Sequence, residues 1–197
     1  MIKAVLFDVD GVLANGALFS QHLELDYGIT QQMVSPFFQG RFQQCLVGSA
    51  DLKQELAQHV AQWGWPGSVD EFVDYWFQCE HVINEPLLQV AQQLRQRGLR
   101  CYLATDQEKY RTAYILDQMG FADSFDGMFS SAHIGYTKRD QRFFAHILQA
   151  LHPVKATEIL FWDDTPTKVE SARSAGIHAE VYSDFTDFTE KMKQYLE

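Results

Sequence analysis

The chain has 197 residues, a hydrophobic content of 46% and a formal net charge of −10 at pH 7. A chain of this size and composition can bury the core of one domain with a modest insertion. Its basic residues form no cluster that could follow a phosphate backbone, which argues against a nucleic-acid partner.

The cysteines are few and widely separated, at Cys45, Cys79 and Cys101. Their number and spacing fit neither a disulfide framework nor a zinc site, so they favour a reducing compartment. The sequence shows no signal-peptide pattern and no apolar run as long as a membrane span. We therefore expect a cytoplasmic protein without a membrane partner, and either a monomer or a weak homo-oligomer.

The first predicted strand covers residues 4–7, an apolar run typical of a buried parallel strand. It leads directly into Asp8, Asp10 and Gly11. Because residues i and i+2 of an extended chain point the same way, the two carboxylates are expected to share one small space. Two such anions repel unless a cation lies between them or one binds a proton. Gly11 allows a sharp turn, so the pattern favours a site over a chance pair of acids.

Residues 15–85 differ in character from the rest of the chain. They are rich in glutamine and aromatic residues and show helical periodicity. We interpret them as an all-helical insertion that interrupts an α/β domain made of residues 1–14 and 86–197.

Two capping signals predict helices within this insertion. Asp51 as N-cap opens a predicted helix over 51–60. Ser68 with Glu71 forms the pattern of a capping box, which opens a predicted helix over 68–80.

Strand and helix patterns alternate in the remainder of the chain. Strands are predicted over 99–105, 127–131, 158–164 and 178–182. Helices are predicted over 86–97, 106–120, 140–151 and 165–176, and from about residue 186. This alternation predicts a doubly wound parallel sheet of the α/β class, similar to a Rossmann fold.

Polar side chains follow three of the predicted strands, as Asp8 and Asp10, Thr105 and Asp106, and Asp163 and Asp164. The carboxyl ends of parallel strands meet at one edge of a sheet, so these residues are expected to converge. Lys138 lies in a loop before a helix and is a further candidate. Oxygen ligands without sulfur suit a hard cation such as Mg²⁺.

These residue types also suit phosphoryl transfer. A carboxylate can attack phosphorus to give an aspartyl-phosphate, and a second acid can protonate the leaving oxygen and then activate water. Thr105 could bind a phosphoryl oxygen, and Lys138 could offset the crowded negative charge. Each residue alone has an ordinary structural explanation, so the prediction depends on their order and placement together.

Four segments resemble the motifs of the haloacid dehalogenase (HAD) superfamily, whose phosphohydrolases use an aspartate nucleophile. They are Phe7-Asp8-Val9-Asp10-Gly11-Val12, Leu103-Ala104-Thr105, Gly135-x-x-Lys138 and Phe161-Trp162-Asp163-Asp164. The helical insertion resembles the cap that follows the first motif in one subgroup of this superfamily.

The resemblance implies a role for each motif residue. Asp8 would be the nucleophile and Asp10 the general acid and base. Asp8, the backbone carbonyl of Asp10, and Asp163 would hold Mg²⁺, and Asp164 would assist through water. Thr105 and Lys138 would hold the phosphoryl group.

Three residues depart from the superfamily pattern. Asp106 stands where asparagine is frequent, Arg139 where proline is usual, and Lys168 where an asparagine commonly steadies the fourth motif. Lys168 could pair with Asp164 or compete with the metal. We expect that none of the three abolishes the chemistry, although weak or narrow activity would fit them.

The resulting hypothesis is a Mg²⁺-dependent phosphomonoester hydrolase of a small metabolite, either a sugar phosphate or a nucleotide. Asp106, Arg41 and Asn15 are candidate substrate-binding residues. Asp10 disfavours dehalogenation, because a departing halide needs no proton. The alternatives are a sugar-phosphate mutase and a catalytically weak or inactive binding or regulatory protein.

Overall fold

The computed structural model describes residues 1–16 and 19–196. Its strands are β1 (Ala4–Phe7), β2 (Arg100–Thr105), β3 (Met128–Ser130), β4 (Ile159–Asp163) and β5 (His178–Val181). They form one five-stranded sheet in the order β3-β2-β1-β4-β5. All four pairings are parallel, which confirms the predicted α/β class and the parallel sheet.

Strand β1 lies at the centre of the sheet because all its residues are apolar and can be buried on both faces. Phe7 pairs with Trp162 on one side and with Leu103 on the other. The Asp8 N–H then donates to the Trp162 carbonyl at 2.9 Å. This register places the acid that follows β1 beside the end of β4.

Helices cover both faces of the sheet. They are α7 (Glu85–Gln96), α8 (Lys109–Asp117), α9 (Phe121–Ser124), α10 (Ser131–Ile134), α11 (Gln141–Ala150), α12 (Pro166–Ser174) and α13 (Phe185–Leu196). Val5 and Phe7 pack in a core with α7 and α13, whereas Ala4 and Leu6 pack in a second core with α11 and α12. The sheet is therefore doubly wound, as the alternating pattern predicted.

The described residues between β1 and α7 form six helices, and we call residues 19–79 the helical segment. They are α1 (Phe19–Tyr27), α2 (Gln31–Gln39), α3 (Phe42–Leu46), α4 (Leu52–Leu56), α5 (Val60–Trp63) and α6 (Val69–Cys79). Their apolar faces form a third core that is rich in aromatic rings, with Phe72 fully buried. No described helix has both the length and the hydrophobicity to span a membrane.

The capping predictions had different outcomes. The capping box is present at α6, where Ser68 and Glu71 satisfy each other's backbone N–H groups. Asp51 caps α4 as predicted, but the continuous helix over 51–60 is wrong. The chain tightens into turns at residues 57–59, and the His59 ring packs against Phe37 of α2 with centroids 5.2 Å apart. Tertiary packing of the ring outweighs helix propensity here.

The predicted helix over 106–120 begins later than expected. Glu108 is the N-cap of α8, and its carboxylate accepts the N–H groups of Tyr110 and Arg111 at 2.8 and 2.5 Å. Asp106 instead accepts the backbone N–H of Lys138 at 2.8 Å. This contact ties the loop before α11 to the end of β2.

Candidate active site

A cleft of about 500 Å³ lies where β1, β2 and β4 end. Among its lining residues are six of the predicted site residues, Asp8, Asp10, Asn15, Thr105, Asp106 and Asp164, together with Gly11 and Lys168. Lys138 and Asp163 contact this group from the interior, and both are 0% exposed. Parallel strands thus bring together residues that are up to 156 positions apart in the numbering, from Asp8 to Asp164.

Asp8 is held in a fixed orientation and kept ionised. Its Oδ1 accepts the Val9 N–H at 2.8 Å and lies 2.6 Å from Lys138 Nζ. Burial alone would raise the pKa of Asp8, but the charges of Lys138 and Lys168 hold it below its usual value. An ionised and oriented carboxylate is what nucleophilic attack requires.

Lys138 joins two carboxylates inside the protein. Its Nζ lies 2.6 Å from Asp8 Oδ1 and 2.6 Å from Asp163 Oδ2. Although burial works against the charged amine, the two carboxylates raise the pKa of Lys138, so it stays protonated. Burial and the nearby charge of Asp8 raise the pKa of Asp163 to about 7. Asp163 therefore binds a proton more readily than an ordinary carboxyl, and a cation bound beside it would reverse that effect.

Asp8, Asp163 and Asp164 form a cluster that could hold a metal ion. Each offers one oxygen, and the three oxygens lie within 4.8 Å of one another. An all-oxygen donor set of this kind fits a hard divalent cation such as Mg²⁺. Asp163 is fixed by the Thr165 N–H, which donates to its Oδ1 at 2.8 Å.

Gly11 gives Asp164 its place in this cluster. Its φ is +80°, and a Cβ built on it would lie 2.2 Å from Asp164 Oδ2. Only glycine combines this backbone conformation with so close an approach. The sequence suggested that Gly11 allows a sharp turn, and the structure shows that it also leaves room for the Asp164 carboxylate.

Asp10 has the opposite electrostatic character to Asp8. Its Oδ2 accepts a hydrogen bond from Gln107 Nε2 at 2.5 Å, and its side chain is 53% exposed towards the cleft. Desolvation by surrounding atoms raises its pKa, Arg111 opposes this, and the charge of Asp8 adds to the increase. A carboxyl with a raised pKa in reach of a bound molecule is suited to donate a proton.

A sequence profile of haloacid dehalogenase-like hydrolases matches residues 2–176. The chain belongs to this family.

Solved structures of other HAD proteins share the fold at low sequence identity. A protein from Porphyromonas gingivalis, described as a predicted HAD-like family hydrolase, is 19% identical with a TM-score of 0.82, covering 100% of this chain and 98% of its own. A HAD family enzyme from Bacteroides thetaiotaomicron, in complex with magnesium and inorganic phosphate, is 19% identical with a TM-score of 0.80. The match covers 95% of this chain and 99% of that enzyme. The L-2-haloacid dehalogenase from Xanthobacter autotrophicus, with chloropropionic acid covalently bound, is 20% identical with a TM-score of 0.69. The match covers 98% of this chain and 83% of the dehalogenase.

Two residues that depart from the HAD pattern lie side by side in this structure. Lys168 Nζ is 3.5 Å from Asp106 Oδ2 and 3.8 Å from Asp8 Oδ2. The sequence had suggested Asp164 as a partner of Lys168. The Asp164 carboxylate instead accepts a hydrogen bond from the Thr165 hydroxyl at 3.0 Å. Arg139, the third departure, is exposed and is not part of the cleft lining.

Sequence reasoning missed the contribution of α8 and of the residue that follows α6. Arg111 is 1% exposed, donates to the Phe77 carbonyl at 3.0 Å, and lies 3.8 Å from the carboxylates of both Asp10 and Glu80. Glu80 lines the cleft, and burial together with the charge of Asp10 raises its pKa to about 7. One sequence feature could have revealed this contribution. Arg111 lies four residues before Ile115, so a charged residue falls on the apolar face of the helix.

The two candidate residues from the insertion differ in position. Asn15 lines the cleft, next to Gly16 and Glu80. Arg41 is not among the lining residues: its side chain is 61% exposed, and its Nε lies 3.7 Å from a Glu55 oxygen.

Proposed function

We propose that this HAD-like hydrolase is a Mg²⁺-dependent phosphatase of small phosphomonoesters that works through an aspartyl-phosphate. The observation that carries the proposal is the placement of two acids in one cleft. Asp8 is 4% exposed and lies 2.6 Å from Lys138 Nζ, whereas Asp10 is 53% exposed towards the cleft and accepts a hydrogen bond from Gln107. The pKa of Asp8 is lowered and that of Asp10 is raised. Paired acids with opposite shifts are typical of a nucleophile and a proton donor.

The protein residues divide the reaction between them. Asp8 attacks phosphorus, and the bond to the leaving oxygen breaks while Asp10 gives that oxygen its proton. Asp10, now ionised, then takes a proton from a water molecule that attacks the phosphorus of the aspartyl-phosphate. Lys138 and Thr105 stabilise the phosphoryl oxygens, and Asp8 is regenerated with release of inorganic phosphate.

Mg²⁺ would be held by Asp8, Asp163 and the backbone carbonyl of Asp10, with Asp164 assisting. When bound, it would neutralise negative charge on the phosphoryl oxygens and on the crowded carboxylates. The magnesium and phosphate bound to the B. thetaiotaomicron relative support this assignment.

Asp10 favours an oxygen leaving group over a halide. The dehalogenase among the structural relatives shows that the fold also carries halide chemistry, so the fold alone does not choose the reaction. A halide departs as a stable anion without a proton, whereas an alkoxide needs one. An accessible acid that can donate a proton therefore favours phosphoryl transfer over dehalogenation.

The substrate is a small molecule that presents hydroxyl groups to the residues that flank the helical segment, which we interpret as a cap. On this side the cleft is lined by Asn15, Gly16 and Glu80. These residues can bind hydroxyl groups, and Glu80 would repel a second anion. A sugar phosphate, or the ribose of a nucleotide, fits this lining.

The test measures phosphate release from a panel of phosphomonoesters with Mg²⁺, with a chelator, and with Asp8→Asn. Hydrolysis should require Mg²⁺ and should vanish in Asp8→Asn, while Asp117→Asn, an exposed acid in α8, should behave as wild type. Turnover that ignores both Mg²⁺ and Asp8 would refute the proposal. An absence of turnover on every ester despite Mg²⁺ binding would favour a binding or regulatory protein.

A further inference from the structure

Lys168 is the cation that faces the open cleft. It lies in the first turn of α12, and its side chain is 18% exposed among the lining residues. Lys138 is different, because it is 0% exposed and its two short contacts to Asp8 and Asp163 leave it enclosed. The two lysines therefore approach Asp8 from different sides, one from the interior and one from the cleft.

The Lys168 ammonium lies near two carboxylates but is too far from either for a charged hydrogen bond. It lies 3.8 Å from Asp8 Oδ2 and 3.5 Å from Asp106 Oδ2. Both separations are longer than a charged hydrogen bond, which spans roughly 2.7–2.9 Å. Its N–H groups thus remain available to a ligand that enters between Lys168 and Asp8.

Asp106 links this lysine to the loop that carries Lys138. One oxygen of Asp106 accepts the Lys138 backbone N–H at 2.8 Å, and the other faces Lys168 at 3.5 Å. The extra negative charge at Asp106 and the extra positive charge at Lys168 therefore offset each other. The two departures from the HAD pattern behave as one paired change.

We infer that Lys168 is a second phosphoryl-binding lysine besides Lys138 and that Asp106 positions it, an inference that rests on the proposed phosphatase function. A phosphoryl group bonded to Asp8 would bring its oxygens into reach of an ammonium 3.8 Å from that carboxylate. Lys168 would act by donating N–H groups to the phosphoryl oxygens, and it transfers no proton. It adds charge-assisted hydrogen bonds to those from Lys138 and Thr105.

The inference is tested by titrating inorganic phosphate, in saturating Mg²⁺, into wild type, Lys168→Met and Lys168→Arg by calorimetry. Loss of a charged hydrogen bond should weaken phosphate binding about 10- to 100-fold in Lys168→Met. Arginine keeps the charge and should restore most of the affinity. Lys193→Met, at an exposed position in α13, is the matched control and should bind phosphate as wild type.

A separate titration of Mg²⁺ without phosphate identifies the competing explanation. If Lys168 competes with the metal, Lys168→Met will bind Mg²⁺ more tightly and phosphate no more weakly, which would overturn the inference. Unchanged phosphate binding combined with a lower melting temperature would also overturn it, because that pattern indicates a structural lysine.

Asp106→Asn tests the positioning role, since asparagine can still accept the Lys138 N–H. Without the charge at Asp106, Lys168 should move towards Asp8. Asp106→Asn should therefore lower phosphate affinity when Lys168 is present and leave it unchanged when Lys168 is already replaced by methionine. An equal loss in the Lys168→Met background would show that Asp106 does not act through Lys168.

Binding and turnover separate this inference from the proposed function. If the wild type hydrolyses phosphomonoesters and Lys168→Met binds phosphate normally, the inference about Lys168 is wrong and the proposed phosphatase function is still supported. A wild type that binds phosphate through Lys168 but hydrolyses no ester supports the inference and removes the function. A wild type that binds no phosphate contradicts both.

Discussion

Asp8 and Asp10 are two positions apart, yet their surroundings affect them in opposite ways. Asp8 has two lysines near it, whereas Asp10 contacts Gln107 and lies 3.8 Å from the Arg111 guanidinium. The sequence predicted that the two acids share a site, because strand geometry fixes where they lie. It did not reveal Gln107, because that contact spans a loop whose path depends on the folded chain.

Substitution of Glu80 should alter which esters the enzyme accepts. Glu80→Gln keeps the size of the side chain and removes the charge, so repulsion of a second anionic group disappears. The ratio of kcat/KM for a sugar bisphosphate to that for the monophosphate should rise about 3- to 10-fold. Because the pKa of Glu80 is about 7, the change should be largest above pH 7, where the wild-type residue is ionised. An unchanged ratio at high pH would show that Glu80 does not face the leaving group.

Substitution of Gly11 should weaken metal binding through Asp164. In Gly11→Ala the new Cβ would collide with Asp164 Oδ2, so the carboxylate must move. Gly28→Ala is the matched control, because Gly28 has a φ of +69° and no atom within 4 Å of the added Cβ. Both variants should lose about 1 kcal/mol of unfolding free energy from backbone strain. Calorimetry should show weaker Mg²⁺ binding in Gly11→Ala alone, and equal Mg²⁺ affinities in the two variants would contradict the account.

Helix α8 contacts the helical segment through three consecutive residues. Lys109 and Tyr110 both contact the Asp51 carboxylate at the start of α4, and Arg111 donates to the Phe77 carbonyl in α6. The existence of α8 could be predicted from its sequence pattern. Its starting residue could not, because Glu108 rather than Asp106 satisfies the first N–H groups. Either acid could cap the helix on local sequence alone. In the folded chain Asp106 accepts the Lys138 N–H, so Glu108 is the residue that caps α8.

Asp51→Asn should destabilise the protein in a pH-dependent way. Asparagine can still cap α4, but the charged contact with Lys109 is lost, so unfolding free energy at pH 7 should fall by about 1 kcal/mol. The hydrogen bond from Lys109 lowers the pKa of Asp51 to about 2. The stabilisation is therefore complete above the unfolded pKa near 4 and is lost as pH falls towards 2.

Urea unfolding at pH 7 and at acid pH checks this prediction. The difference in unfolding free energy between wild type and Asp51→Asn should shrink as the solution is acidified. Asp117→Asn, whose acid is exposed, serves as the control. A difference that grows on acidification would contradict the assigned contact.

At the scale of the whole molecule, the order of the strands determines where the chemistry lies. The sheet order β3-β2-β1-β4-β5 puts β1 between the two strands that end in Thr105 and Asp163. Strand identity, parallel direction and convergence of these ends could all be predicted from hydrophobic runs and polar residues. The pairing of Asp106 with Lys168 could not, because it joins the loop after β2 to the first turn of α12, and their separation depends on how the whole sheet twists.

The most direct test of the central claim is to trap phosphate on Asp8. A single turnover of a sugar phosphate with Mg²⁺ is stopped in acid, and the digested protein is examined by mass spectrometry. The peptide that contains Asp8 should carry one phosphoryl group transiently, and Asp10→Asn should retain it for longer because water is no longer activated. Phosphate release from wild type with no phosphorylated Asp8 at any time, in either protein, would contradict the account.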